Sequence, residues 1–218
     1  MSNDQVHLFL ALLTVVALGV AIWAVVTLVR ARSGAHSAIA VRRDRWYQLL
    51  VGAALISATA ALGSLALSEI LHYEPCLYCW YQRIGMYGTA IILTVAVIRR
   101  DAAIKWYAIT LATLGSLVSL WHVLYDQIPS LQGTGACDPN NPCSLRWIAL
   151  WEVSAGHPLI TIQSMALVGF LATISLLLLI PSNLDDPALE EPASEEPASN
   201  DQLGDADASR SPADGVSA

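Results

Sequence analysis

Two cysteine pairs carry the chemistry that this sequence most clearly offers. Cys76-Leu77-Tyr78-Cys79 is a Cys-x-x-Cys pair, and Cys137 and Cys143 flank Asp138-Pro139-Asn140-Asn141-Pro142. No other cysteine occurs in the 218 residues. A Cys-x-x-Cys pair can close a small reactive disulfide or hold a metal or a haem. Haem attachment needs His directly after the second Cys, where Trp80 stands. A four-cysteine zinc site fits poorly, because five residues separate the second pair, so no metal is expected. Thiol redox chemistry is left, with two inert structural disulfides as the plainer alternative.

Pro75 suits the first turn of a helix beginning near Leu77, because its missing N–H costs nothing there. Both Cys76 and Cys79 then sit at a helix N-terminus, where the dipole and unpaired N–H groups favour a thiolate. A thiol of low pKa is also a good leaving group, so its disulfide opens easily. Arg83, at i+4 from Cys79, adds positive charge one turn deeper. A snorkelling interfacial arginine is the plainer reading of that residue. Gly133, Gly135 and the prolines make the Cys137/Cys143 segment a turn-rich loop open to a protein partner.

The elements that must position these residues are membrane helices. Hydrophobic residues make up 55% of the chain and charged ones 13%, against about a quarter in soluble domains. Val6 to Val29, Gln48 to Ser68, Ile84 to Ile98, Trp106 to Tyr125 and Pro158 to Ile180 carry no charge. With the third run extended back to Leu77, each approaches the roughly 20 residues that cross a bilayer core. Five transmembrane helices follow, and the runs are too long and continuous for barrel strands. The expected fold is an all-α integral membrane protein: a four-helix bundle over 46–180, preceded by an extra N-terminal helix and basic loop over 1–45.

The net charge of −7 belongs to the end of the chain. Ten of the 18 acidic residues fall in 181–218, beside a single Arg210. That segment repeats Glu-Glu-Pro-Ala-Ser and has no aromatics, so a disordered acidic tail is expected. The first hydrophobic run has only Asp4 ahead of it and its basic residues behind, which fits a retained helix better than a cleaved signal.

Arg30, Arg32, Arg42, Arg43 and Arg45 lie in one connection, and Arg99, Arg100 and Lys105 in another. The positive-inside rule makes both cytoplasmic, with the tail inside and the N-terminus outside. All four cysteines then face the oxidising side of a cell membrane, where disulfides persist.

Within the spans, Ser57, Ala61, Ser64 and Ser68 form one stripe and Thr110, Thr113, Ser116 and Ser119 another. Such stripes usually mark helix contacts. His122 and Glu69, ionisable and near helix ends, are candidates to supply protons to a quinone or to hydrogen-bond its oxygens. Trp147, Leu150 and Trp151 recur at i, i+3 and i+4, which fits a short interfacial helix or an ordinary aromatic belt.

The run Glu74-Pro75-Cys76-Leu77-Tyr78-Cys79-Trp80-Tyr81-Gln82-Arg83-Ile84-Gly85-Met86-Tyr87 resembles the disulfide bond formation protein B (DsbB) family, most closely its short BdbC-type branch. Trp121-His122-Val123-Leu124-Tyr125-Asp126-Gln127-Ile128-Pro129, followed by Cys137 and Cys143, resembles that branch's second external loop. The likeness covers about Trp46 to Ile180. It implies a membrane oxidoreductase that reoxidises an extracytoplasmic thioredoxin-like oxidase of the DsbA or BdbD type and passes electrons to ubiquinone or menaquinone. No nucleic acid is implied. By the same resemblance, Cys137 meets the partner thiol and Cys143 exchanges with Cys76. Cys79 then faces the quinone, with Arg83 beside the ring. A vitamin K epoxide reductase-like enzyme is the enzymatic alternative, although there the loop pair usually precedes the Cys-x-x-Cys. A membrane scaffold with structural disulfides is the non-catalytic one.

Overall fold

Leucine, alanine and valine runs with few polar interruptions favour helix, and in lipid the backbone must satisfy itself within each segment. The computed structural model describes residues 3–131, 137, 142–144, 150–154 and 157–181. The helices are α1 (Asn3–Arg32), α2 (His36–Asp44), α3 (Trp46–Glu69), α4 (Leu77–Arg99), α5 (Lys105–Gln127) and α6 (Ile162–Leu179). All but α2 are long and apolar enough to cross a bilayer. The membrane-spanning part is thus all helical, as expected from composition. The helices belong to one compact unit, Met1–Leu184. From Ser182 onward the expected acidic tail lies outside the described residues.

The short helix α2 was not anticipated. It is joined to α1 through Gly34, which takes the left-handed conformation (φ 83°) that the turn requires. Its Arg42 donates from Nε to the Leu179 carbonyl at 2.8 Å. Lys105, 2% exposed, donates from Nζ to the carbonyls of Ile180 and Pro181. Two basic side chains therefore close the C-terminal end of α6, where orphan carbonyls and the dipole favour cations.

At that basic end, Leu49, Leu50, Ala53, Leu93, Ala96, Ala108, Leu176 and Leu177 build the main core. Ile84, Ile91 and Ile98 project outward at 64–77% exposure, a stripe suited to lipid rather than water. Midway along the bundle, α4 and α5 approach closely at Gly85 and Gly115. A Cβ on Gly85 would stand 3.2 Å from the Gly115 Cα, and one on Gly115 would strike the Phe170 ring at 2.4 Å. Without a hydrophobic drive between helices in lipid, such small residues permit tight packing. The approach also fixes the antiparallel register that brings the start of α4 beside the end of α5.

One expectation is corrected. Residues 150–154 form strand β1 (Leu150–Ser154), paired antiparallel with β2 (His157–Ile160), rather than an interfacial helix. Alternating Trp151 and Val153 with only Ala155-Gly156 before the return strand is a hairpin pattern, and it outweighs the i, i+3, i+4 aromatics. Trp147 lies outside the described residues. The last helix begins at Ile162, after the return strand, with Thr161 and Ser164 forming a capping box. The hydroxyl stripes divide as well. Ser57 bonds Thr173 of α6 at 3.2 Å, whereas Thr110 and Thr113 are exposed and bond their own helix.

Candidate functional site

The α4 N-terminus begins at Cys76, whose extended backbone makes it the N-cap and whose Sγ accepts from the Cys79 N–H at 3.4 Å. A sulfur thus fills the capping role usual for Ser or Asp. Cys76 and Cys79 are free thiols with sulfurs 2.8 Å apart, whereas Cys137 and Cys143 form a disulfide. The hydrogen bond from Cys79 and the N-terminal setting hold Cys76 down to about 4, with His122 contributing and burial opposing. One member of the pair is therefore a ready thiolate.

His122, fully buried on α5, joins the two pairs. Its Nε2 lies 2.9 Å from the Cys143 carbonyl oxygen and 3.8 Å from Cys76 Sγ. A carbonyl only accepts, so Nε2 carries a proton that is shared between that oxygen and the thiolate. On the other side of the ring, Gln82 Nε2 lies 3.2 Å from Nδ1, which fits an amide donating to the unprotonated nitrogen. Tyr78 and Tyr125 pack around the imidazole and the sulfurs. Sequence reasoning gave Gln82 no role. Its signal was present: a primary amide three residues after Cys79 in an apolar helix, buried to 3%. Leaving such a group unpaired costs about 1–3 kcal/mol.

Arg83 points inward at 9% exposure instead of reaching for the interface. It donates from Nε to Ser64 Oγ at 3.1 Å and from Nη2 to the Ser64 carbonyl at 3.0 Å, while its guanidinium lies over Trp80. Ser64 is thus explained by Arg83 rather than by helix packing alone. Beside them lies a cavity of about 270 Å³, lined by Cys79, Gln82 and Arg83 of α4, apolar residues of α3 and α6, and one face of α1. Its size is of the order of small-molecule sites, which are mostly apolar with a few placed polar groups. Glu69 does not join this constellation. It is exposed at the end of α3, with Ser68 donating to its Oε1, while the carboxylate at the cavity margin is Glu74.

Residues 44–181 match the model of the family described as disulfide bond formation protein DsbB. The chain belongs to the DsbB family. The DsbB-type segment contains all four cysteines and helices α3 to α6, and it begins only at the end of α2. The probable disulfide formation protein C 1 of Bacillus anthracis is 37% identical over 112 residues, covering 51% of this chain and 76% of the relative. The disulfide bond formation protein C of Bacillus subtilis is 36% identical over 120 residues, covering 55% and 83%. A probable disulfide formation protein of Coxiella burnetii is 38% identical over 95 residues, covering 43% and 65%. No solved structure matches the chain. As a DsbB-family member with five helices long and apolar enough to cross a bilayer, it is a multi-pass membrane disulfide oxidoreductase.

One prediction follows from the sulfur geometry. Thiolate absorbance of the reduced pair is expected to persist from neutral pH downward and to be half lost near pH 4. Loss on acidification is the sign required, because the folded protein holds Cys76 below its usual 9.0. A His122→Phe variant should move that midpoint upward by about one unit. Titration near the ordinary thiol range would contradict the arrangement.

Proposed function

We propose that the chain oxidises an extracytoplasmic thioredoxin-like dithiol and delivers the electrons to a membrane quinone. The observation carrying this reading is the position of Cys79, shared between the Cys76 sulfur and an apolar chamber that also holds Arg83. The chamber fits a quinone, with apolar walls for ring and tail and a guanidinium for a ring oxygen. Two of the five guanidinium donors are committed to Ser64, which leaves the group held and still able to donate. A bound quinone takes up two electrons and two protons as the quinol, which balances oxidation of one donor dithiol to a disulfide.

The protein's own residues divide the work. Cys137 is the more exposed residue of its disulfide, Cys143 the buried one packed with Cys76. The donor thiolate attacks Cys137 and releases Cys143. A second donor thiol then closes the donor disulfide and releases Cys137. The resulting dithiol reduces the Cys76–Cys79 disulfide, with Cys143 attacking Cys76. That attack releases Cys79, and Cys137 then attacks Cys143, re-forming its disulfide and releasing Cys76, a good leaving group because its thiolate is stabilised. His122 shares its Nε2 proton with the Cys76 sulfur and, through the Cys143 carbonyl, ties Cys143 to α5 beside the start of α4. Arg83 stabilises negative charge developing on an acceptor oxygen. Both cysteine pairs and the N-terminus lie on the extracytoplasmic side of the cell membrane, and the tail within. The arginine-rich connections at the opposite end of the bundle support that orientation. The chain is organised as an added helix and basic segment over 1–45, a catalytic bundle over 46–180 and an acidic tail over 181–218.

Turnover in lipid nanodiscs with a reduced thioredoxin-like donor and either ubiquinone or menaquinone tests this reading. One quinol per donor disulfide is expected from at least one quinone. A scaffold with structural disulfides would leave both quinones oxidised.

A further inference from the structure

Helix α1 lies outside the family-matched residues 44–181, yet it helps to enclose the chamber. Leu10, Leu13, Thr14 and Ala17 face the space from one side, opposite Cys79 and Arg83 of α4. The Thr14 hydroxyl donates to the Leu10 carbonyl at 2.9 Å, so this wall presents carbon rather than a polar group. α1 packs along α6, and two further contacts tie it to α3 and the loop that follows it. Leu10 reaches to 3.4 Å from where a Cβ on Gly63 of α3 would stand. His7 Nε2 lies 2.9 Å from the hydroxyl of Tyr73, in the loop that leads to Cys76. Val16 of α1 and Leu55 of α3 also line the space, although each is mostly exposed on the outer surface. They therefore mark a side opening between α1 and α3, toward the lipid.

We infer that α1 is the outer wall and side entrance of the acceptor site. Resting on the quinone reading above, the inference assigns to α1 the contacts with the apolar ring face and the first isoprene units. An apolar wall contributes shape and contact area, not charge. It sets which quinone enters and how tightly, and it leaves the sulfur chemistry to α4 and α5. The His7–Tyr73 bond couples the position of this wall to the loop carrying Cys76.

The test uses the full chain in nanodiscs and a photoreactive azido-ubiquinone. Label is expected on peptides of α1 as well as α4. Ala17→Trp, which fills the chamber from α1, is expected to remove the α1 label and to raise the quinone KM about tenfold or more. Thr14→Ala, which enlarges the space and is milder for folding, should shift the preference between short-tailed and long-tailed quinones. Label confined to α3, α4 and α6, in a wild-type protein that reduces quinone, would overturn the role of α1 and leave the quinone reading intact. A wild-type protein that neither takes the label nor reduces quinone would overturn both.

Discussion

Replacing Cys79 by Ser is expected to abolish acceptor reduction, lowering turnover by at least about a thousandfold. Cys79 is the sulfur that borders the chamber, and it stands 2.8 Å from Cys76. Serine keeps the size and a hydroxyl donor but cannot close a disulfide, so no two-electron step remains at this pair. Exchange between the donor and the Cys137–Cys143 disulfide does not pass through Cys79 and should persist for a single turnover. Stopped-flow mixing with stoichiometric reduced donor separates the two steps. If the variant turns over as wild type does, Cys79 is not the exit point for electrons.

The second large effect is expected at Arg83. Arg83→Ala removes a charge-assisted donor from an apolar chamber and strips Ser64 of two hydrogen bonds. A loss of about 2 kcal/mol, roughly a 30-fold rise in quinone KM, is expected. Donor KM should change little, because the donor's disulfide target lies beyond Cys76. Arg83→Lys keeps the charge but loses the planar fork that grips Ser64, so it should fall between the two. Quinone dependence that is unchanged in Arg83→Ala would remove this residue from the acceptor site.

The spans were legible because lipid allows one solution to a long uncharged run, and the motif from Pro75 to Arg83 was legible because its chemistry is local in sequence. A helix start at the cysteine pair and Arg83 one turn below Cys79 follow from spacing along a single helix, whereas the capping role of Cys76 itself, with Pro75 outside the helix, did not. What spacing could not show is what meets across helices. His122 was visible only as an ionisable residue near a helix end. Its place between Cys76, Cys143 and Gln82 depends on the Gly85–Gly115 approach, which sets how α4 slides along α5. Glu69 carried the same one-dimensional signal as His122, and the turn of the chain after α3 leaves it exposed while Glu74 borders the cavity. The aromatics at 147–151 misled because helical spacing says nothing of a partner strand seven residues further on. The wall formed by α1 had no local signal at all, since its facing residues are ordinary span residues.

The most direct test of electron delivery from the Cys76 pair is a single-turnover oxidation without donor. The full chain in nanodiscs is reduced at Cys76 and Cys79, mixed anaerobically with one equivalent of quinone, quenched with acid and alkylated. Mass spectrometry then maps the disulfides. The account predicts one Cys76–Cys79 disulfide formed for each quinol produced. A Cys76 pair that stays reduced while quinol appears, or no quinol at all, would contradict it.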